Sequence, residues 1–214
     1  MSELSGNAVF LDAAMHRRGL AGDPDVLLAA GVPAPGVDVR IVDDDDVDVP
    51  EGEIGEILVR AGRVMVGYLD DPAATETAIA AGWLHTGDVG RIARRLLHFV
   101  DRKKDIVITG GENVSSLEVE EVVGNYPSIL RVAVVGVPDP DWGENVCAVV
   151  VPVDPATFDT DVVATFVRQC LAGFKVPRHW WIVTELPTNA AGKVRKAELR
   201  ERLSADPTLA GPRR

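Results

Sequence analysis

The spacing of apolar positions along this chain changes character several times, and each change marks an element. Residues 37–42 alternate apolar and polar, and residues 53–60 (Glu-Ile-Gly-Glu-Ile-Leu-Val-Arg) form a second run, so both are predicted strands. A turn at Asp71-Pro72 precedes a short helical stretch over 73–80. Residues 83–88 (Trp-Leu-His-Thr-Gly-Asp) read as a loop, and 89–92 with 96–100 read as a hairpin. Residues 37–100 are therefore expected to form a small, mostly antiparallel β-subdomain. A charged cluster follows, Asp101, Arg102, Lys103, Lys104 and Asp105; set between two apolar segments, it suits a boundary between folding units.

Beyond it the pattern is mixed. The β-branched run 106–109 predicts a strand, which Gly110-Gly111 break, and Ser115-Ser116 with Glu118 open a helix over 116–125 in the manner of a capping box. Near-continuous apolar runs over 131–137 and 146–153 predict strands on either side of a Pro138-Asp139-Pro140-Asp141 turn. A helix over 160–172 places Val162, Val163, Phe166, Val167 and Leu171 on one face. A strand over 180–183 and a closing helix over 196–203 complete an α+β unit, with strands and helices segregated around one sheet. Residues 1 to about 30 show no strong opening strand or helix cap, and the tail over 204–214 reads as frayed.

Composition narrows the function. A hydrophobic content of 46% with 26% charged residues is that of a globular chain. A net charge of −11 argues against a nucleic-acid or anionic-membrane surface, since phosphates would be repelled. Much of that charge is concentrated at Asp43 to Asp46, Asp48, Glu51 and Glu53, which lack EF-hand spacing and read as a solvated loop tip. Cys147 and Cys170 form no disulfide framework and read as buried free thiols of a reducing, cytoplasmic compartment. No apolar run approaches the roughly 20 residues of a membrane span.

Three polar residues could carry chemistry. Asp88, in Thr-Gly-Asp, can accept two hydrogen bonds from a vicinal diol or can simply cap its turn. Arg102 can bind a phosphate or hydroxyl, or can pair with Asp101. Lys193, flanked by Asn189, Ala190, Ala191 and Gly192, can enter a pocket and stabilise developing charge, or can be a solvated lysine. His16, His85, His98 and His179 have no zinc spacing, there is no GxSxG elbow, and Gly110-Gly111 is neither a Walker loop nor a dinucleotide fingerprint.

Six segments in order resemble the adenylate-forming (AMP-binding) superfamily of acyl-CoA synthetases, nonribosomal adenylation domains and luciferases: EGEIGEILVRAGRVMVGYLDDPAATETA, GWLHTGDVG, FVDRKKDIVITGGENVSSLEVEEVV, VAVVGVPDPDWGE, FKVP and LPTNAAGKVRKAELRERL. The GGEN form is similar to acyl-CoA ligases in particular. The resemblance implies that residues 1–101 are the end of the large AMP-binding domain and 102–214 its swinging C-terminal domain, with a hinge over 101–105 centred on Lys104. It implies that Asp88 holds the ribose hydroxyls of ATP or AMP with Arg102 beside it. Lys193 would stabilise attack of a carboxylate on the α-phosphate, and Gly110, Gly111, Glu112 and Asn113 would line the channel for the pantetheine arm of CoA. Met1-Ser2-Glu3 looks like the end of the motif whose Ser/Thr and Glu serve phosphate and Mg, which assigns Ser2 and Glu3. The partners implied are a carboxylic acid, ATP-Mg and CoA.

The family's Gly/Ser/Thr-rich phosphate loop is absent from the chain. A truncated ligase, inactive alone, with a missing or separately encoded N-terminal domain is therefore expected. Residues 1–36 would then expose apolar surface and be disordered or prone to aggregate. The alternative is a standalone nucleotide-, CoA- or partner-binding module, or a non-functional relic. At Ala93-Arg94-Arg95-Leu96 relatives carry an acidic turn with glycine, so the hairpin here is expected to be strained.

Overall fold

The computed structural model describes residues 1–205, so the tail expected to fray lies, beyond 205, outside the described residues. The chain divides into two compact units, Met1–Lys104 and Asp105–Arg214.

In the first unit a 3-10 turn, Ser2–Leu4, leads to β1 (Val9–Phe10), α1 (Ala13–Leu20), β2 (Val32–Pro33), β3 (Val37–Val42), β4 (Gly55–Ala61), α2 (Pro72–Ala78), β5 (Ile79–Ala80), β6 (Trp83–Ala93) and β7 (Leu96–Arg102). β1 pairs with β2 in a small sheet of their own, while the main sheet runs β3-β4-β6-β5 with β7 also on β6, antiparallel throughout. Leu4, Ala34, Val37, Ile41, Ile57, Val59, Leu84 and Leu97 form the core against it. The acidic run Asp43 to Asp46 is the exposed turn between β3 and β4, folded on itself by Asp43 Oδ1, which accepts the N–H groups of Asp45 and Val47.

Three expectations for this unit are corrected. Residues 83–88 are strand, not loop: polar Thr-Gly-Asp hides the period, but pairing with β4 buries Leu84 and Thr86. The helix over 73–80 ends at Ala78, and Ile79–Ala80 turn extended to pair with β6. Residues 1–36 are folded, and they do contain a cap. Asp12 Oδ1 accepts the Met15 N–H at 2.7 Å to start α1, whose sparse apolar content conceals it. Leu20 and Leu28 on this stretch are nonetheless strongly exposed.

The second unit contains β8 (Val107–Thr109), β9 (Glu112–Val114), α3 (Ser116–Gly124), β10 (Ile129–Asp139), β11 (Gly143–Pro152), α4 (Thr160–Cys170), β12 (His179–Ile182) and α5 (Lys196–Ser204). β11 pairs antiparallel with β10 and β8, and parallel with β12, which it reaches through α4. Successive residues of β10 and β11 point to opposite faces, and both faces are buried. On one face Val134, Val146, Ala148 and Val150 meet Val119 and Val123 of α3 with Val163 and Val167 of α4. On the other, Ala133, Val135, Cys147 and Val149 meet Leu199 and Leu203 of α5. Helices thus cover both faces, which is why these strands read as continuous apolar runs. The α+β class stands, but the helices are not gathered on one side.

Two further corrections follow from register. Val162 is half exposed, and the buried residues of α4 are Val163, Ala164 and Val167. Cys170 is exposed at the last position of α4 rather than buried, whereas Cys147 lies inside the sheet, where burial pushes its thiol up to about 12. Ser115 caps α3, its Oγ accepting the Glu118 N–H at 3.2 Å. Both carboxylate oxygens of Glu118 are held by Lys175 Nζ at 2.7 Å.

Candidate active site

The candidate site of the first unit is built on an irregularity. β4 and β6 pair in register at Glu56–Val89 and again at Leu58–His85, with a shift between, so Thr86-Gly87-Asp88 bulges from the ladder. Each residue of the bulge has a task. Thr86 Oγ1 donates to the Ile57 carbonyl at 2.6 Å and accepts the Asp88 N–H at 3.1 Å. Gly87 sits at φ +66, the left-handed region, and donates its N–H to Glu56 Oε1 at 3.1 Å. Asp88 is thereby set directly across from Arg102 on β7.

Arg102 Nε lies 2.8 Å from Asp88 Oδ1. The geometry is that of an ion pair without an aligned N–H, since Oδ1 is buried and receives no hydrogen bond. Burial pushes the Asp88 carboxyl above the usual aspartate range, the Arg102 guanidinium pulling against it. Asp101 Oδ1 accepts the Arg102 backbone N–H at 2.7 Å, so the main chain of Arg102 is held by one aspartate while its side chain meets the other.

Glu3 comes to the same region from far away in sequence. Its carbonyl accepts the Met65 N–H at 2.8 Å, and its Oε1 accepts the Tyr68 hydroxyl at 3.1 Å. Its own backbone N–H, then the Tyr68 hydroxyl and Arg102, hold its carboxyl below the usual glutamate range. Ser2 lies exposed on the same 3-10 turn. Tyr68 and Glu56 carried no signal in the sequence, because their partners Glu3 and Gly87 lie 65 and 31 positions away and meet them only in the fold. Among the described residues no group of three or more His, Cys, Asp or Glu is placed to hold a metal. A single carboxylate such as Glu3 is nonetheless a donor that suits Mg, which takes one or two protein carboxylates and completes its shell with water and substrate phosphates.

The remaining candidates belong to the second unit. Lys193 is exposed on a tight loop between β12 and α5. Asn189 builds that loop: its Oδ1 accepts the N–H groups of Ala191 and Lys193, each at 3.0 Å, and its N–H donates to the Lys193 carbonyl at 2.9 Å. Just beyond it, Lys196 anchors α5 to α3 through Ser116 Oγ and Glu120 Oε1, each at 2.7 Å. Gly110 and Gly111 are the two central residues of the β8–β9 hairpin, at φ +59 and +83, and Glu112 follows, exposed on β9. A Cβ on Gly110 would stand 2.6 Å from the Trp142 ring, over whose face the Arg178 guanidinium lies at 4.2 Å. This half-exposed aromatic–cation pair beside the glycine turn is a second feature that sequence reading missed.

The model of the AMP-binding enzyme family matches residues 1–69, and the model of the AMP-binding enzyme C-terminal domain matches residues 118–193, in that order. The chain belongs to the AMP-binding enzyme family. Relatives of this family include a feruloyl-CoA synthase of Amycolatopsis sp, 45% identical over 175 residues, covering 81% of this chain and 36% of the relative. A long-chain-fatty-acid–CoA ligase of Escherichia coli is 43% identical over 172 residues, covering 80% of this chain and 30% of the relative. The chain therefore spans about a third of the length of the curated AMP-binding relatives it matches. Among solved structures, o-succinylbenzoate CoA synthetase of Bacillus subtilis in complex with its acyl-adenylate intermediate superposes with a TM-score of 0.83 at 29% identity, over 96% of this chain and 40% of that one. The amide bond synthetase McbA of Marinactinospora thermotolerans gives 0.75 at 42% identity, over 83% of this chain and 36% of that one. Among the described residues of this AMP-binding chain no helix is long and apolar enough to cross a membrane.

Proposed function

We propose that this chain is part of an ATP-dependent, AMP-forming acid–thiol ligase. A carboxylate oxygen attacks the α-phosphorus of ATP, the bond to pyrophosphate breaks, and the acyl-AMP then yields its acyl group to the thiol of CoA, releasing AMP. The observation that carries the reading is Asp88, a partly buried carboxylate whose Oδ1 faces a cation but receives no hydrogen bond. A ribose supplies two adjacent hydroxyls, donors that such a carboxylate can accept. Arg102 favours the ionised carboxylate against the pull of burial. Glu3, held below the usual glutamate range, remains an anion able to hold Mg, which would offset phosphate charge, and Ser2 lies on the same turn.

Carboxylate and triphosphate repel, so the first step needs a cation at the reacting centre, and Lys193 on its tight loop is the group proposed for it. The second step needs that lysine withdrawn and a thiol admitted. Rotation about Lys104, the last residue of the first unit, would exchange Lys193 for the Gly110–Gly111 turn and Glu112. The Trp142–Arg178 pair beside that turn offers an aromatic face and a cation to the nucleotide end of CoA. Since the relatives are more than twice as long, these 214 residues are proposed not to complete adenylation alone.

Calorimetric titration of the chain with AMP, ATP-Mg and CoA tests the reading. AMP binding that Asp88→Ala abolishes supports it; no binding of any of the three, or AMP binding indifferent to Asp88, overturns the diol assignment. In a longer ligase containing this segment, an amine accepted in place of CoA would move the second step to the amide-forming class of its structural neighbour.

A further inference from the structure

Glu56 stands at a junction that the reaction scheme above does not use. It is the second residue of β4 and retains 9% exposure, so its charge must be met by partners. Both oxygens are met. Oε1 accepts the Gly87 N–H at 3.1 Å, and Oε2 accepts from Lys103 Nζ at 3.0 Å. His85 Nδ1 stands 3.7 Å from Oε2. Lys103 also reaches Asp44 Oδ1 at 2.9 Å, but that carboxylate is almost wholly exposed, and a pair of that kind adds little. One arm of Glu56 thus fixes the left-handed glycine immediately before Asp88. The other fixes the residue immediately before Lys104, at which the first unit ends.

We propose that Glu56 is a positioning residue that locks the diol-binding turn to the pivot of the chain. A change at Lys103–Lys104 is then felt at Gly87, and, since coupling is reciprocal, nucleotide held at Asp88 is felt at the pivot. The proposal rests on the reading of Asp88 and Lys104 given above. A carboxylate that merely stabilised the sheet would need neither arm to reach a functional position.

Deuterium exchange of the 214-residue chain, followed over segments 84–90 and 101–106, tests the lock in Glu56→Ala, Lys103→Met and the double variant. Glu56→Ala is expected to speed exchange by about tenfold in both segments, the size of one lost charge-assisted hydrogen bond at each. Lys103→Met touches nothing at Gly87 directly, yet it is expected to speed exchange over 84–90 by about threefold, and to add nothing there once Glu56 is gone. No change over 84–90 in Lys103→Met would overturn the lock. So would an equal rise throughout β3 and β4 in Glu56→Ala, which would mark Glu56 as a stabiliser of the sheet alone. The diol reading fails separately. If Asp88→Ala bound AMP as tightly as the unaltered chain, the nucleotide half of the proposal would fall, while exchange would still decide whether turn and pivot are linked.

Discussion

At the scale of the residue, Asp88 shows how the proposed diol-binding group would be held at a cost to the fold. Burial raises its carboxyl above the ordinary aspartate range, so folding disfavours the ionised form, and Arg102 recovers only part of that. Because the folded value is above the unfolded one, the contribution of Asp88 to stability is greatest at low pH and is lost as pH rises through the folded value. Binding a diol runs the other way, because only the carboxylate accepts both hydroxyl protons. AMP affinity is therefore expected to decline on acidification beginning at a higher pH than an ordinary aspartate would allow. Asp88→Asn should weaken AMP by about a hundredfold at neutral pH, flatten that decline, and leave the urea midpoint equal or higher. Calorimetry across pH with parallel urea melts checks all three. Asp88 was legible in the sequence as a candidate. The resemblance also set Arg102 beside it; its burial and the support of its turn by Glu56 were not legible, because they depend on which strands become neighbours.

At the scale of the element, the chain makes the same kind of turn twice with opposite residue choices. The β8–β9 hairpin places Gly110 and Gly111 at positive φ, whereas the β6–β7 hairpin forces Arg94 and Arg95 to φ +53 and +66. Arg94 is compensated: its N–H donates to Glu51 Oε1 at 2.8 Å, and its guanidinium holds Asp23 at 2.6 Å. Arg95 carries the backbone strain without such a pair among the described ion pairs. Arg95→Gly is expected to stabilise the first unit by about 0.5–1 kcal/mol, the relief of a left-handed side chain less the added freedom of glycine. A rise in the urea midpoint of that unit is the measurement; no rise would place the strain elsewhere. The strain itself was legible, since two arginines occupy a two-residue turn. The strands where sequence alternation was clear, β3 and β4, were read with their bounds nearly right. The start of β6 was not, because Thr-Gly-Asp is polar and its strand character comes from pairing with β4 rather than from its own period. The cap at Asp12 was missed for a related reason: α1 buries almost nothing, so no apolar stripe announced a helix.

At the scale of the molecule, the two units carry different halves of the proposed chemistry, Asp88, Arg102 and Glu3 in the first, Lys193 and the Gly110–Gly111 turn in the second, and the charged cluster over 101–105 lies where one unit gives way to the other. A lysine that acts only while the carboxylate attacks phosphorus stabilises the first transition state and not the second. In a longer ligase containing this segment, Lys193→Ala is therefore expected to lower acyl-AMP formation by about a hundredfold to a thousandfold, the range for loss of one charge-stabilising donor. Thioester formation from preformed acyl-AMP and CoA should be nearly unchanged. Asn189→Ala should follow Lys193→Ala in direction and fall short of it, since Asn189 shapes the loop without touching substrate. A fixed pivot should show the reverse pattern: Lys104→Pro, which restricts rotation at the unit boundary, should spare adenylation and slow transfer to CoA. Equal loss of both half-reactions in Lys193→Ala would mean that the lysine supports the fold or binds substrate uniformly, and the assignment of the two steps to two arrangements of the chain would fail with it.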